Sequence, residues 1–453
     1  MNHDAHPRLR AALQRELSDW RRWTARLVVL ASAAAAGWVV VAFTWLSEQA
    51  LAGFRSILAA THGWGALLWT PLLTAAIVWL TRRYAPGAAG SGIPQVMAAL
   101  DPAVPAQHRG LYVSLRLTLA KLALTSAGLL GGLSLGREGP SVQIAAGVMH
   151  HARRWLPARS EISPHGLLMA GGAAGIAAAF NTPLGGVMFA IEELSRRPEH
   201  RSSGLLLAAI VLAGLMAVSV HGNASYFGVI RVEGLSMALL LPGLCLALAA
   251  GALGGVFARL LLASLVGDGQ DRFSRWRRTH PVRFAAGCAL AVALIGIASG
   301  GATWGSGYEA TRALLEGGDD PAPFYTLLRF VATWLTAWAG VPGGLFAPAL
   351  AIGAGLGKDV ADVFGLAQSP TLIALGMAGF LAAVTQAPLT AFIIVMEMVD
   401  GHALVLSLMA CTLVSSGVSR LISAPLYATL AQAQLQRLPM PPRATADRAQ
   451  PQA

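Results

Sequence analysis

A carboxylate stands at Glu138 between two glycines, beside Arg137, in the stretch "GREGPSVQ" at 136–143. Between Lys121 and His150 the only charges are Arg137 and Glu138. A charge at the centre of a bilayer costs about 2.5–3.5 kcal/mol on insertion scales, so a carboxylate in such a segment needs a partner or a function. Two chemistries fit. Glu138 could pair with Arg137 at a loop mouth. It could instead sit at a helix N-terminus, where free backbone N–H groups offset a negative charge and would hold an inorganic anion equally well. Five other residues carry comparable potential. Glu192 and Glu193 close the apolar run "GGVMFAIEELSRR", spaced to pair with Arg196 and Arg197 one helical turn on. Ser91, in "GSGIP", lies at a predicted helix start, where serine is a common N-cap. Tyr427, in "SAPLYATL", by itself suits an interfacial aromatic belt. Lys121 is one of two lysines; it would bias the local potential toward anions, snorkel to the interface, or pair with a carboxylate.

The elements that must hold these groups follow from composition. The 453 residues are 55% hydrophobic and 12% charged, with a mean hydropathy of +0.58. Soluble domains carry about 25% charged residues. Apolar runs such as "LVVLASAAAAGWVVVAFTWL" and "PGLCLALAAGALGGVFARLLLASLV" recur, each long enough to cross a hydrocarbon core of about 30 Å. The class is an all-α polytopic membrane protein. A formal charge of +11 could indicate nucleic-acid binding. The arginines exclude that reading, because they cluster in short connections: the N-terminal segment, Arg82 and Arg83, Arg153, Arg154 and Arg159, Arg196, Arg197 and Arg201, and "DRFSRWRRTHPVR" at 271–283. These are cytoplasmic by the positive-inside rule, and the acidic stretch 307–323 is external. The first 26 residues are too charged for a signal peptide, which places a retained N-terminus in the cytoplasm. Cys245, Cys288 and Cys411 match no metal spacing and read as small core residues. "NAS" at 223–225 is a formal but weak glycosylation sequon.

The chain also contains itself twice. "GREGPSVQIAAG" at 136–147 aligns without gaps over "GLFAPALAIGAG" at 344–355, a shift of 208, matching Gly136 with Gly344 and Pro140 with Pro348. "AAAFNTPLGGVMFAIEE" at 177–193 aligns over "AAVTQAPLTAFIIVMEM" at 382–398, a shift of 205, matching Pro183 with Pro388 and Glu192 with Glu397. Two membrane repeats follow, 27–215 and 233–430, joined by 216–232 and flanked by a basic N-terminal segment 1–26 and a tail 431–453. Sequence identity does not distinguish parallel from inverted repeats. Gly and Pro interrupt the apolar segments at "GAAGSGIPQ", "GREGP", "NTPLGG", "GVPGGLFAP" and "TQAPLT". Broken helices at membrane depth are tolerated where protein or water covers them, and transporters use them at the repeat interface.

In order and spacing, "GSGIP" (90–94), "GREGP" (136–140), "GLFAP" (344–348) and "PLY" (425–427) resemble the CLC family of chloride channels and chloride/proton exchangers, from about residue 27 to 430. "GIAAAFNTPLGGVMFAIEE" strengthens the match. The resemblance implies a homodimer, each subunit with a pore built from two inverted repeats whose re-entrant helices meet at a central anion site. It implies that Glu138 is the gate, competing with chloride and released by protonation. Chloride would be held by the hydroxyls of Ser91 and Tyr427 and the amides of Leu345 and Phe346, with a more external site lined by the amides of Glu138, Gly139, Phe346 and Ala347. Glu193 would pass protons from the cytoplasm, which favours a chloride/proton antiporter over a passive channel on the same scaffold. With no long C-terminal extension, the chain looks like a prokaryotic member in the plasma (inner) membrane, both termini cytoplasmic. Ser91 and Tyr427 disfavour fluoride, since fluoride-exporting relatives usually lack both. No cofactor, metal or nucleic acid is implied. An intramembrane hydrolase would need HExxH, which does not occur, or a serine with a histidine base inside the apolar runs, and the histidines lie mostly in loops. A scaffold or receptor without transport gives the broken helices no purpose.

Overall fold

A computed structural model describes residues 20–158, 160, 162–195, 203–222, 225–228, 237–266, 269–318, 321–366 and 370–436. Most of the N-terminal segment, Arg159, Arg196, Arg197, Arg201, most of the "NAS" sequon and the tail beyond 436 lie outside them. Every regular element among the described residues is helical. The first half contains α1 (Trp20–Ala60), α2 (Ala66–Tyr84), α3 (Ile93–Leu100), α4 (Leu115–Leu130), α5 (Glu138–Ala152), α6 (Pro164–Phe180), α7 (Pro183–Phe189) and α8 (Ser203–His221). The second contains α9 (Leu240–Leu265), α10 (Arg272–Thr279), α11 (Pro281–Ala298), α12 (Tyr308–Leu315), α13 (Tyr325–Ala339), α14 (Phe346–Val363), α15 (Pro370–Thr385), α16 (Pro388–Met398), α17 (Val405–Ile422) and α18 (Leu426–Gln436).

Helix length separates two populations. Among the described residues five helices, α1, α9 and α11 among them, are long and apolar enough to cross a membrane. Others are far too short: α3 and α12 have eight residues each, about 12 Å of helix. Their starts follow local chemistry. Pro94, Pro183 and Pro388 stand at first-turn positions, where the missing N–H costs nothing. Asn181 and Gln386, equivalent in the two repeats, both take the left-handed conformation just before those prolines. That conformation stops α6 and α15 and turns the chain into α7 and α16.

The interior helices are apolar all round, as a membrane core requires. In α15 every residue from Thr371 to Thr385 is buried. With little hydrophobic drive between helices in lipid, close approach of small residues sustains packing. Gly171 lies against Ala146 and Ala145 O, joining α6 to α5, and Gly376 lies against Gly353 O, joining α15 to α14. These are repeat-equivalent contacts.

The repeat relation is visible at its own axis. Gly136 N donates to Gly344 O at 2.9 Å and Gly344 N donates to Gly136 O at 2.7 Å, an antiparallel bridge. The two glycines are the equivalent residues of the two halves. Antiparallel pairing of equivalent residues is what an inverted repeat produces where its two-fold axis crosses the chain. A second reciprocal pair stands further along. Glu192 accepts from Leu389 N (3.2 Å) and Thr390 N (2.7 Å), and Glu397 accepts from Leu184 N (3.1 Å) and Gly185 N (2.7 Å). Each glutamate caps the first turn of the other half's short helix. The expected partners Arg196 and Arg197 lie outside the described residues; the partners seen for Glu192 are the free N–H donors of a broken helix, which suit a carboxylate.

Candidate anion site

Four helix N-termini converge beside the Gly136–Gly344 bridge: α3, α5, α14 and α18. Helix α5 begins at Glu138 and α14 at Phe346, so the bridge holds both starts side by side. The loop before α3 is pinned to them. Gly343 N donates to Gly90 O at 3.1 Å. Gly92, at φ 108°, is the N-cap of α3, and a Cβ there would stand 2.7 Å from Gly139 O. Only glycine allows that approach.

Ser91 is therefore not the N-cap. Its hydroxyl makes no cap bond, is buried, faces Gly139 and has no hydrogen-bond partner. Tyr427, in the first turn of α18, is 1% exposed, which removes it from any interfacial belt, and its hydroxyl is likewise unpartnered. The Ser91 and Tyr427 hydroxyls face each other across the same space, close enough to interact but not in hydrogen-bonding geometry. Phe346 walls it, stacked on Phe180 (centroids 6.3 Å), edge-on to Phe189 (6.2 Å) and tilted against Tyr427 (5.9 Å). Leu345 and Ala347 flank it, 7% and 8% exposed.

Glu138 is fully buried. Its carboxylate folds back under Gly136, toward the amide of Ala347 across the repeat axis, yet neither oxygen reaches hydrogen-bond geometry. It does not pair with Arg137. The guanidinium of Arg137 turns away to Glu48 Oε1 (3.0 Å) and Tyr226 Oη (3.5 Å). Buried polar atoms are nearly always hydrogen-bonded, so unpartnered ones need an explanation, and an ion is a standard one. Here the carboxylate of Glu138 and the hydroxyls of Ser91 and Tyr427 all await partners around helix N-termini that carry partial positive charge. Among the described residues, the nearest cations turn elsewhere: Arg137 to Glu48 and Lys121 to the Ala88 and Gly90 carbonyls.

Lys121 departs from both structural expectations, snorkelling and carboxylate pairing. It is fully buried, and its Nζ donates to Ala88 O (2.8 Å) and Gly90 O (2.6 Å). It thus ties down the loop that presents Ser91. The second half repeats the device. Arg329, also fully buried, donates to Thr303 O (2.7 Å) and Gly305 O (2.8 Å). The chain carries "GSG" at 305–307 as at 90–92, and Arg329 is Lys121 shifted by 208. That duplicated triplet was the available signal for both cations.

Glu193 is not brought into contact with Glu138. It lies in a five-residue π turn, Ala190–Leu194, that ends α7. There it lines a separate cavity of about 560 Å³ with Glu192, Gln386, Arg420 and Ser423. Tyr427 stands within electrostatic range of both Glu193 and Glu138. Single-turn π segments mark functional sites more often than chance.

These features define a class: a helical membrane protein whose inverted repeats bring broken-helix N-termini to one buried anion-type site. The comparisons name it. The family model described as "Voltage gated chloride channel" matches residues 73–420, well over half the chain, so the protein belongs to the CLC family. It is 31% identical over 432 residues to an H(+)/Cl(-) exchange transporter ClcA from Klebsiella pneumoniae, covering 88% of this chain and 86% of the relative. It is 30% identical over 458 residues to the ClcA of Cronobacter sakazakii, covering 93% and 92%. Among solved structures it shares the fold of a slow cyanobacterial Cl-/H+ antiporter, with TM-score 0.79, 24% identity, and coverage of 91% and 98%. A CLC-type fluoride/proton antiporter aligns at TM-score 0.74 and 25% identity, over 89% and 96%.

Proposed function

We propose that this protein is a chloride/proton antiporter in which Glu138 is both gate and proton carrier. The observation that carries the reading is the carboxylate of Glu138, buried without a hydrogen-bond partner beside the unpartnered hydroxyls of Ser91 and Tyr427. Chloride binds the two hydroxyls and the amides of Leu345 and Phe346. The amides of Glu138, Gly139, Phe346 and Ala347 form the more external site, where the carboxylate and a chloride compete. Protonation removes the charge, and the side chain leaves. Neutral donors suit throughput, because conduction needs binding weak enough to release. Glu193 takes protons from the cytoplasm, and its cavity with Glu192 and Arg420 is where water would reach it. The protein works as a homodimer in the plasma membrane, spanning it with the repeats 27–215 and 233–430, with both termini cytoplasmic. The relatives named as H(+)/Cl(-) exchangers support the substrate pair.

The test is coupled movement in liposomes. With purified protein reconstituted and a chloride gradient imposed, protons are expected to move uphill in the opposite direction to chloride. Chloride flux with no proton movement would make the protein a passive channel and defeat this reading.

A further inference from the structure

A cavity of about 140 Å³ borders Ser91, and Glu138 is not among its lining residues. Its walls include Gly90, Ser91, Gly344 and Leu345 of the anion site, Gln434 of α18, and Arg277 of α10. Arg277 is the one charged side chain among the described residues that line it. Helix α10 is short, capped by Asp271, whose carboxylate accepts from Phe273 N and Ser274 N, and it belongs to the basic connection 271–283. Arg272, Arg275 and Arg278 are exposed on it, whereas Arg277 turns inward and is half-buried. Its Nη1 donates to Ser264 O at 2.7 Å, near the end of α9, which fixes the guanidinium at the cavity wall. Gly340, at φ 83°, lines the same cavity beside the guanidinium: a Cβ there would stand 4.0 Å from Nη2.

We propose that Arg277 is an anion-capture residue at the cytoplasmic mouth, raising the local concentration of chloride ahead of Ser91. This rests on the reading of Ser91 as part of a chloride site. The physics is a division of labour. A full positive charge inside the pore would retain the anion, whereas one at a low-dielectric mouth focuses the field and raises counter-ion concentration without binding it tightly. The placement of Arg277 meets that condition: it borders the same cavity as Ser91 but is anchored to the α9 carbonyl, outside the set of neutral donors.

The experiment measures chloride uptake by the reconstituted full-length protein across a range of chloride concentrations. Arg277→Gln is expected to raise the half-saturating chloride by about three- to tenfold, with the maximal rate and proton-to-chloride ratio unchanged. The difference should shrink as an inert salt shortens the Debye length below about 8 Å. Arg277→Lys, which keeps the charge, should stay within about twofold of wild type. Arg278→Gln removes the same charge from the same helix, and its guanidinium is bonded to Gly269 O on the exposed side, so its curve should not move. Unchanged half-saturation in Arg277→Gln overturns the proposal. An equal loss in Arg277→Lys assigns the residue to capping α9 instead, and an equal loss in Arg278→Gln reduces the effect to general surface charge. Wild-type uptake in the same series tests the transport reading separately. If wild type moves no chloride, that reading fails; if it does and Arg277→Gln is indifferent, only this inference fails.

Discussion

The two halves share one plan and differ in what they leave open. Each places a glycine in a left-handed conformation, Gly92 or Gly307, before an eight-residue helix. Each ties the preceding loop with a buried cation, Lys121 or Arg329. In the first half the serine of the "GSG" triplet, Ser91, keeps a buried hydroxyl without a partner. In the second, the Ser306 hydroxyl accepts from Tyr308 N at 3.4 Å and is used locally. Aromatic rings then fill the space beside it: Phe227 stacks on Tyr308 (5.2 Å), and Tyr226 packs edge-on to Tyr308 (5.1 Å). At the paired helix starts the contrast repeats, with Glu138 facing Phe346 across the axis. Duplication supplied two sets of helix N-termini; side-chain choice made one a site and the other a wall.

The sharpest way to break this comparison is to remove its one carboxylate. Glu138→Gln keeps size and removes the protonation step. Proton movement is expected to fall to background while chloride flux continues, with its pH dependence flattened. Proteoliposome flux measured by a chloride electrode and a pH electrode together decides it, and intact coupling would take Glu138 out of the gate.

Next in size is the contrast between adjacent glutamates. Glu193→Gln should abolish most proton movement and retain chloride flux, because its carboxylate borders the cavity. Glu192→Gln should keep coupling, because both of its oxygens are engaged by α16 amides. If both variants lose coupling alike, the cavity rather than Glu193 carries protons.

A smaller effect separates the two serines. A hydrogen bond to a charged partner contributes about 1.5–3 kcal/mol, so Ser91→Ala should weaken chloride binding by about tenfold or more. Ser306→Ala should leave chloride affinity unchanged. Isothermal titration of detergent-purified protein with chloride reads both, and equal affinities for Ser91→Ala and wild type would return Ser91 to a structural role.

Much of this is legible in the sequence. The motif glycines and prolines mark helix breaks because backbone constraints are local, so the helix starts at Glu138 and Phe346 were visible in "GREGP" and "GLFAP". Hydropathy exposed the membrane class because lipid leaves few alternatives. What was hidden is tertiary. Arg137 beside Glu138 in sequence invited a pair, but side chains of adjacent residues on a helix start diverge, and Arg137 found Glu48, 89 positions away. Lys121 found carbonyls rather than a carboxylate because the broken loop before Ser91 exposes them. Glu192 and Glu397 were aligned by the repeat, but only the fold brings each to the other's helix.

That last pair yields the smallest expected effect and the most direct test of the symmetry. Each carboxylate takes two N–H groups from a helix first turn, so the two caps are chemically alike. Glutamine keeps one acceptor oxygen but turns an amide NH2 toward the second N–H, losing one charge-assisted bond and opposing donor to donor. About 1–2 kcal/mol per substitution is expected for an unmatched donor of this kind. In a chain of 453 residues that is a shift of roughly 1 °C in the unfolding midpoint per kcal/mol. The inverted relation requires Glu192→Gln and Glu397→Gln to cost about the same, and both to leave the proton-to-chloride ratio alone. Tryptophan fluorescence during heating in detergent supplies the midpoints, and liposome flux supplies the ratio. A large loss for one and none for the other would mean that the caps are equivalent in geometry but not in energy, and that one half carries the fold while the other merely leans on it.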